Sequence, residues 1–506
     1  MNRRGFFKTS AAAGTSLLAG GTVISSSHAI AGSVASRTPA ILGAYSAEDH
    51  RRRLVNIGLC ERTIRKCMRK HLLTSYLPAQ CCYNLGEYPC RKPWDPDDYD
   101  EQELDRLREH GIQVIQVFDD WNDSLRLFGG DKYTPLNPAG FRRFVDMVHR
   151  RGMKLLPYVS TGFLQKTDLD YRPEWTREGD VLTSGYWNMA RCQPASAGWR
   201  AFLLPRILRI MDEWGADGIY DDCGYVHNAR RLAAKQPLTP AQDEVQAFEE
   251  TPDYDGALTD LLALIHAEIK RRGGIFKVHI SGPEQPRTGG LPVYDYLWVG
   301  EGGNNADKLR EATKNHPPYV VPCLDLSRAT IANEDELYLH AIPYLQFPIL
   351  AAGRPFTGER ATIPGVSYPP EERCFYTRRC RAIWKQYQAN PNPPHCYSWW
   401  DSFPGRPEAR PTHARWLKQY LPIVEEGTWA WLEISDSDLF AQPPPKDVVA
   451  SAFANREFHL VLANYGQNAV EVATRDAYAP VAEAGAARKQ WTLPARSLRI
   501  LRRSAA

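Results

Sequence analysis

Residues Trp214–Tyr225, WGADGIYDDCGY, decide how the chain is read. A run of helical periodicity, Trp199 to Trp214, leads into them, and Gly215 is placed to break that helix. Ala216 to Tyr220 has the short apolar character of a buried strand, and the strand ends on two adjacent carboxylates, Asp221 and Asp222. Helix, glycine, strand, acid and turn form the unit by which a parallel α/β barrel carries an acid to its C-terminal rim. Strand alternation lets only one of the two acids point straight inward.

The same rhythm extends on both sides. Strands are expected at Ala79–Asn84, Ile112–Phe118, Lys154–Ser160, Ala216–Tyr220, Ile275–Ser281, Tyr294–Val299, Tyr319–Leu324 and Phe347–Ala352. Between them fall amphipathic helices, among them Asp98–His110, Pro138–Arg151, Thr259–Arg272, Asp307–Asn315 and Glu334–Tyr344. Eight such units predict an α/β fold, a (β/α)8 TIM barrel, at residues 78–390. An open doubly wound sheet is the rival, but no GxGxxG follows the first strand and no P-loop occurs. The segment between the third strand and the helix before Asp221 reads as a long loop carrying Trp175, Tyr186, Trp187 and Asn188.

Residues 32–77 form an N-terminal extension in which Ser46–Leu73 has helical periodicity. Residues 391–427 make a connector rich in proline and aromatics, where Trp399, Trp400 and Asp401 are placed to seat the barrel on the next domain. Residues 428–506 show short alternating runs (WAWLEI, VVASAFA, FHLVLANY, AVEVAT, LRILRR) and predict a C-terminal antiparallel β-sandwich.

The N-terminus is an address. Asn2–Ser10 (NRRGFFKTS) precedes an apolar, small-residue run, and small-x-small sites end at Ala29 or Ala31. Arg3-Arg4 resembles the twin-arginine export signal of bacteria, so residues 1–31 read as a signal peptide and the mature chain as periplasmic or secreted. The run is too short and too rich in Gly and Ser for a stable membrane span.

Composition narrows the partners. The 62 basic and 59 acidic residues of the 506 are well mixed, giving a formal charge of +3, with no stripe for nucleic acid. Fourteen Trp and 24 Tyr supply faces that stack on sugars as well as fill cores. Eleven cysteines, densest from Cys60 to Cys90, include no CxxC pair, which argues against a structural zinc, and could hold a disulfide or two outside the cytoplasm. No GxSxG elbow is present for a serine hydrolase.

Two acids end different strands: Asp222, or its neighbour Asp221, on the fourth and Glu301 on the sixth. A glycosidic bond is cleaved by such a pair, one carboxyl protonating the leaving oxygen and the other attacking the anomeric carbon or activating water. Asp119, Asp120 and Trp121 at the end of the second strand are candidate sugar-binding residues. Tyr220, His279, Asp325, Trp187 and Asn188 join them.

GADGIYDDCG resembles the fourth-strand segment of α-galactosidase-like, melibiase-type glycoside hydrolases, and DYLWVGEG is similar to their sixth-strand segment. The resemblance implies a barrel glycosidase with Asp222 as nucleophile and Glu301 as general acid/base, acting on a carbohydrate without a cofactor. Asp221 stands where those relatives carry an apolar residue, and Glu301 where the characterised ones usually carry Asp. Two other classes stay open. One is a non-catalytic extracytoplasmic carbohydrate-binding barrel. The other is a metal-dependent ester or amide hydrolase drawing on Asp119, Asp222, His279 and Glu301, though neither HxH nor HExxH is present.

Overall fold

The computed structural model describes residues 45–85, 95–118, 121–122, 133–135, 137–165, 170–184, 187–222, 254–280, 293–300, 303–316, 319–322, 324, 331, 333–354, 409–483 and 485–504. Residues 1–44, residues 391–408 of the connector with Trp399, Trp400 and Asp401, and Asp119, Asp120, Glu301 and Asp325 lie outside them, and the side chains of Trp187 and Asn188 are likewise not described.

In chain order the described elements begin with α1 (Ala47–Thr63), β1 (Ile64–Leu72), β2 (Gln80–Asn84), α2 (Asp98–Glu109), β3 (Val114–Val117), α3 (Pro138–His149) and β4 (Lys154–Val159). A small insertion follows, β5 (Phe163–Gln165), β6 (Thr176–Ser184) and β7 (Trp187–Cys192). Then come α4 (Ala197–Asp212), β8 (Gly218–Asp222), α5 (Tyr254–Arg271), β9 (Ile275–Ile280), β10 (Tyr296–Val299), α6 (Ala306–Thr313), β11 (Tyr319–Pro322), α7 (Asp335–Ala341) and β12 (Leu350–Gly353). The C-terminal part holds α8 (Arg410–Tyr420), β13 (Trp429–Ser437), β14 (Val448–Ala454), β15 (Phe458–Asn464), β16 (Val470–Pro480), β17 (Arg488–Leu493) and β18 (Ser497–Arg503).

Eight strands form one parallel sheet in the order β11-β10-β9-β8-β4-β3-β2-β12. Because β12 pairs with β2, Leu350 opposite Cys81, the last strand returns to the first and the sheet curls into a barrel. Among the described residues no ladder joins β11 to β12. All eight strands fall where hydrophobic patterning places them. The helices start on ordinary caps: Asp97 caps α2 in a capping box, Asn137 caps α3 ahead of Pro138, and Ser196 caps α4. Gly215 ends the α4 connection at φ 76°, as the sequence suggests.

The interior of the barrel is unusually aromatic and polar. Toward the N-terminal end of the strands Tyr76, Tyr296 and Tyr319 pack together, with ring centroids 4.0 Å and 5.8 Å from that of Tyr319. Deeper in, Lys277 is fully buried and its Nζ donates to Gln80 Oε1 at 2.8 Å. Such a charge is tolerated inside because it is hydrogen-bonded and lies 4.9 Å from the centroid of the Trp298 ring.

The antiparallel β-domain is a single seven-stranded sheet, ordered β1-β13-β14-β15-β18-β16-β17. The long β16 pairs with β17 through its first half and with β18 through its second, so the sheet bends over its own core of Trp431, Leu460, Leu462, Tyr478 and Trp491. Two features differ from the sequence reading. Ile64–Leu72 is a strand where periodicity suggests helix, and it pairs antiparallel with β13, Leu72 opposite Trp429. Its basic residues suit an edge strand, where charge discourages further pairing, and Arg65 bonds Asp436 at 2.6 Å. The long loop after β4 also has structure of its own, the three-stranded sheet β5-β7-β6. Cys60, Cys67 and Cys81 are free thiols, so the disulfides envisaged for that dense group do not involve them.

Candidate active site

Alternation along β8 separates its two acids. Tyr220 packs inside the barrel against Phe118 and Trp298, at ring centroid distances of 6.2 Å and 5.2 Å, so Asp222, two residues on, faces the mouth. Asp221 points the other way and is wholly buried. The register places Asp222 opposite His279 on β9, and His279 opposite Trp298 on β10. Both neighbours therefore deliver inward side chains to the level of Asp222.

Asp222 is held on its own side of the mouth. The Tyr158 hydroxyl, from β4, donates to Asp222 Oδ2 at 3.1 Å, and His279 Nδ1 lies 3.8 Å from Oδ1. The Tyr220 hydroxyl and His279 Nδ1 are 2.7 Å apart, a hydrogen bond whose donor depends on the imidazole tautomer. His279 stacks on Trp298 at 5.4 Å and 25°. The side chain of Asp222 keeps 32% of its surface in solvent, enough for a ligand to reach its carboxylate. A partly open carboxylate on an aromatic floor, at the C-terminal rim of a barrel strand, is an arrangement that suits attack on an electrophilic carbon.

Asp221 does different work. Its two oxygens accept from Thr161 N at 3.1 Å and Thr161 Oγ1 at 2.8 Å, fixing the chain where it leaves β4. Thr161 O in turn accepts from Trp199 Nε1 of α4 at 3.0 Å, so the acid ties the strand end to the helix layer. The catalytic role considered for Asp221 is thus corrected: strand alternation turns it away from the mouth.

Burial, together with the charge of Asp222, pushes the Asp221 carboxyl up to about 8, against the Thr161 hydrogen bonds. The consequence for stability has a definite sign. Between its ordinary value of 3.8 and about 8, the folded state keeps a proton that the unfolded chain gives up. This stabilisation is fully present below 3.8 and is lost as pH rises through that window to about 8. Asp221→Asn can accept from Thr161 N through its amide oxygen and donate its Nδ2 to Thr161 Oγ1, so it should keep the contact and remove the slope. Thermal melts at pH 5 and pH 8 should show wild type losing stability relative to the variant, by up to ~1.4 kcal/mol per pH unit. Parallel pH profiles for the two proteins would show that Asp221 stays ionised.

The other predicted residues divide clearly. Trp121 is a core residue, corrected from a sugar-stacking role: it is 2% exposed, its Nε1 donates to Tyr158 O at 2.9 Å, and its ring lies 4.7 Å from Phe141. Tyr220, at 1% exposure, is floor and positions His279. Tyr158, Trp298 and Phe118 join the site without standing out in the sequence, each at an inward position near the end of its strand. The signal that would have found them is the period-2 alternation counted back from the strand end. Among the described residues, no group of three or more His, Cys, Asp and Glu side chains is placed to hold a metal ion. No described helix is long and apolar enough to cross a membrane.

No protein-family model matches the chain, and no curated protein matches it. Solved structures do resemble it. A noncanonic maltogenic alpha-amylase from Thermotoga neapolitana matches over 84% of this chain and 99% of its own, at 11% identity and a TM-score of 0.43. The trehalulose synthase of Pseudomonas mesoacidophila matches over 85% and 99%, at 12% identity and a TM-score of 0.47. An alpha-galactosidase from Geobacillus stearothermophilus matches over 85% of this chain and 56% of its own, at 10% identity and a TM-score of 0.48.

Proposed function

We propose that this protein is an exported glycoside hydrolase in which Asp222 is the nucleophile and Glu301 the general acid/base. The observation that carries the reading is the placement of Asp222: inward, partly solvent-exposed, anchored by Tyr158 and backed by His279 and Trp298. Asp222 attacks the anomeric carbon as the glycosidic C–O bond breaks. The leaving oxygen keeps the bond's electron pair and takes the proton of the Glu301 carboxyl. Water, deprotonated by the Glu301 carboxylate, then releases the sugar from Asp222. In the sequence Glu301 comes two residues after Val299, the last residue of β10, and β10 itself lies two strands from β8. An inverting course would instead have Asp222 activate water. Carboxyls about 5 Å apart favour the first course and roughly 6.5–9.5 Å the second. The Arg3-Arg4 leader supports export to the periplasm or beyond.

The test is hydrolysis of a panel of oligosaccharides and aryl glycosides by wild type and Glu301→Gln. Wild type should release sugar from at least one member. The variant should lose about 10²–10⁴-fold on natural linkages, the range that general acid catalysis supplies. On nitrophenyl glycosides, whose leaving group needs no proton, its loss should be much smaller in the bond-breaking step. Equal losses on both substrate types would remove Glu301 from the acid role. Sugar binding without any turnover would make the chain a carbohydrate-binding barrel.

A further inference from the structure

A groove of about 340 Å³ runs along the seam where α8 and the start of α7 meet β18 and the turn after β16. That volume lies at the low end of the roughly 300–1,000 Å³ typical of small-ligand clefts. Its lining includes Arg415, Trp416, Gln419, Glu483, Arg496 and Arg499. Two of the three guanidinium groups are already engaged: Arg415 bonds Asp335, and Arg496 bonds Glu336 at 3.0 Å and Asp307 at 3.0 Å. Arg499 differs. It has no ion pair among the described residues, and its Nε is shut off from solvent without a hydrogen-bond acceptor. The enclosed Nε is out of a ligand's reach, but the outer guanidinium nitrogens have no partner among the described residues, and a carboxylate is the group a guanidinium binds best. Beside it, Gln419 and Trp416 are nearly buried, at 5% exposure each, and stiffen the floor; Trp416 Nε1 is tied to Asp335 at 2.7 Å.

We propose that this groove is a second ligand site, taking a saccharide that carries a carboxylate, with Arg499 as its anion receptor. The lining of the groove shares no residue with Asp222 or its floor of Tyr220, His279 and Trp298, and the choice of a saccharide rests on the glycosidase reading above. In affinity electrophoresis of the full-length chain, polygalacturonate should retard both wild type and Asp222→Asn. Arg499→Gln should weaken that retardation at least tenfold, with an unchanged melting temperature. Glu483→Lys alters an exposed lining residue and should strengthen it, which keeps the test open if Arg499→Gln folds poorly. Neutral galactomannan should give no retardation that depends on Arg499, and polyglutamate, acidic but not a sugar, none at all. The proposal is overturned if polygalacturonate leaves wild type unretarded, or if neither Arg499→Gln nor Glu483→Lys changes the binding. It is equally overturned if polyglutamate retards as strongly, or if Asp222→Asn alone abolishes binding, which would place the saccharide at the barrel mouth. Failure of the glycosidase reading is seen separately, in the turnover of neutral oligosaccharides.

Discussion

Asp222→Asn should lower kcat by about 10³-fold or more, within the range by which one catalytic group accelerates such a step. The amide is nearly isosteric and can still accept from the Tyr158 hydroxyl, which reaches the carboxylate at 3.1 Å. The floor of Tyr220, His279 and Trp298 stays in place, because its contacts do not need the Asp222 charge to pack. What disappears is the anionic lone pair that forms the new bond. KM and the melting temperature should therefore change little while turnover collapses, the signature of a lost transition-state interaction. Asp222→Ala opens space where that carboxylate stood. If the enzyme retains configuration, added azide should restore turnover and give a glycosyl azide of opposite anomeric configuration to the normal product. Turnover by Asp222→Asn at the wild-type rate would falsify the assignment and leave the mouth of the barrel as a binding surface.

Gly218→Ala should have the largest effect on stability, several kcal/mol and enough to reduce the yield of folded protein sharply. Gly218 opens β8 at φ 147°, and a Cβ built there would lie 1.9 Å from Ile275 O and 2.6 Å from Ile275 N. Those are backbone atoms of the neighbouring strand, in the ladder that pairs Gly218 with Ile275. Ile275 N also donates to Asp217 O at 2.8 Å, so neither chain can step aside without breaking the seam between β8 and β9. Gly152→Ala is the control: its φ is 71° but nothing lies within 4 Å of the added carbon. It should cost only the ~1–2 kcal/mol of a left-handed alanine. Soluble yield and thermal melts of the two variants distinguish the cases. Similar melting temperatures would mean that β8 and β9 separate at Gly218 more readily than their hydrogen bonding implies.

The barrel was legible because its information is local. Each of the eight strands is a short apolar run closed by a turn, and the described barrel helices other than α7 carry a cap or a terminating glycine within a few residues. The acid at the end of β8 was legible for the same reason, as was the rule that only one of Asp221 and Asp222 faces inward. Which one it is depends on the side of the strand where Tyr220 meets Phe118 and Trp298, and those residues come from just past β3 and from β10.

Pairing with distant chain was not legible. Ile64–Leu72 has a composition that a helix also accepts, and it becomes a strand because β13, more than 350 residues later, offers it an edge. Trp121 reads as a rim aromatic until Phe141 and Tyr158 O close around it and make it core. Gly218 looks like one more small residue until Ile275 lies against it. The succession of strands and helices along the chain, most of the caps and the presence of a rim acid follow from neighbours in the chain, so the sequence by itself determined them. The facing of each acid, the partners of each aromatic and the tolerance of each glycine depend on residues that only folding brings within a few ångströms, and those the tertiary structure decided.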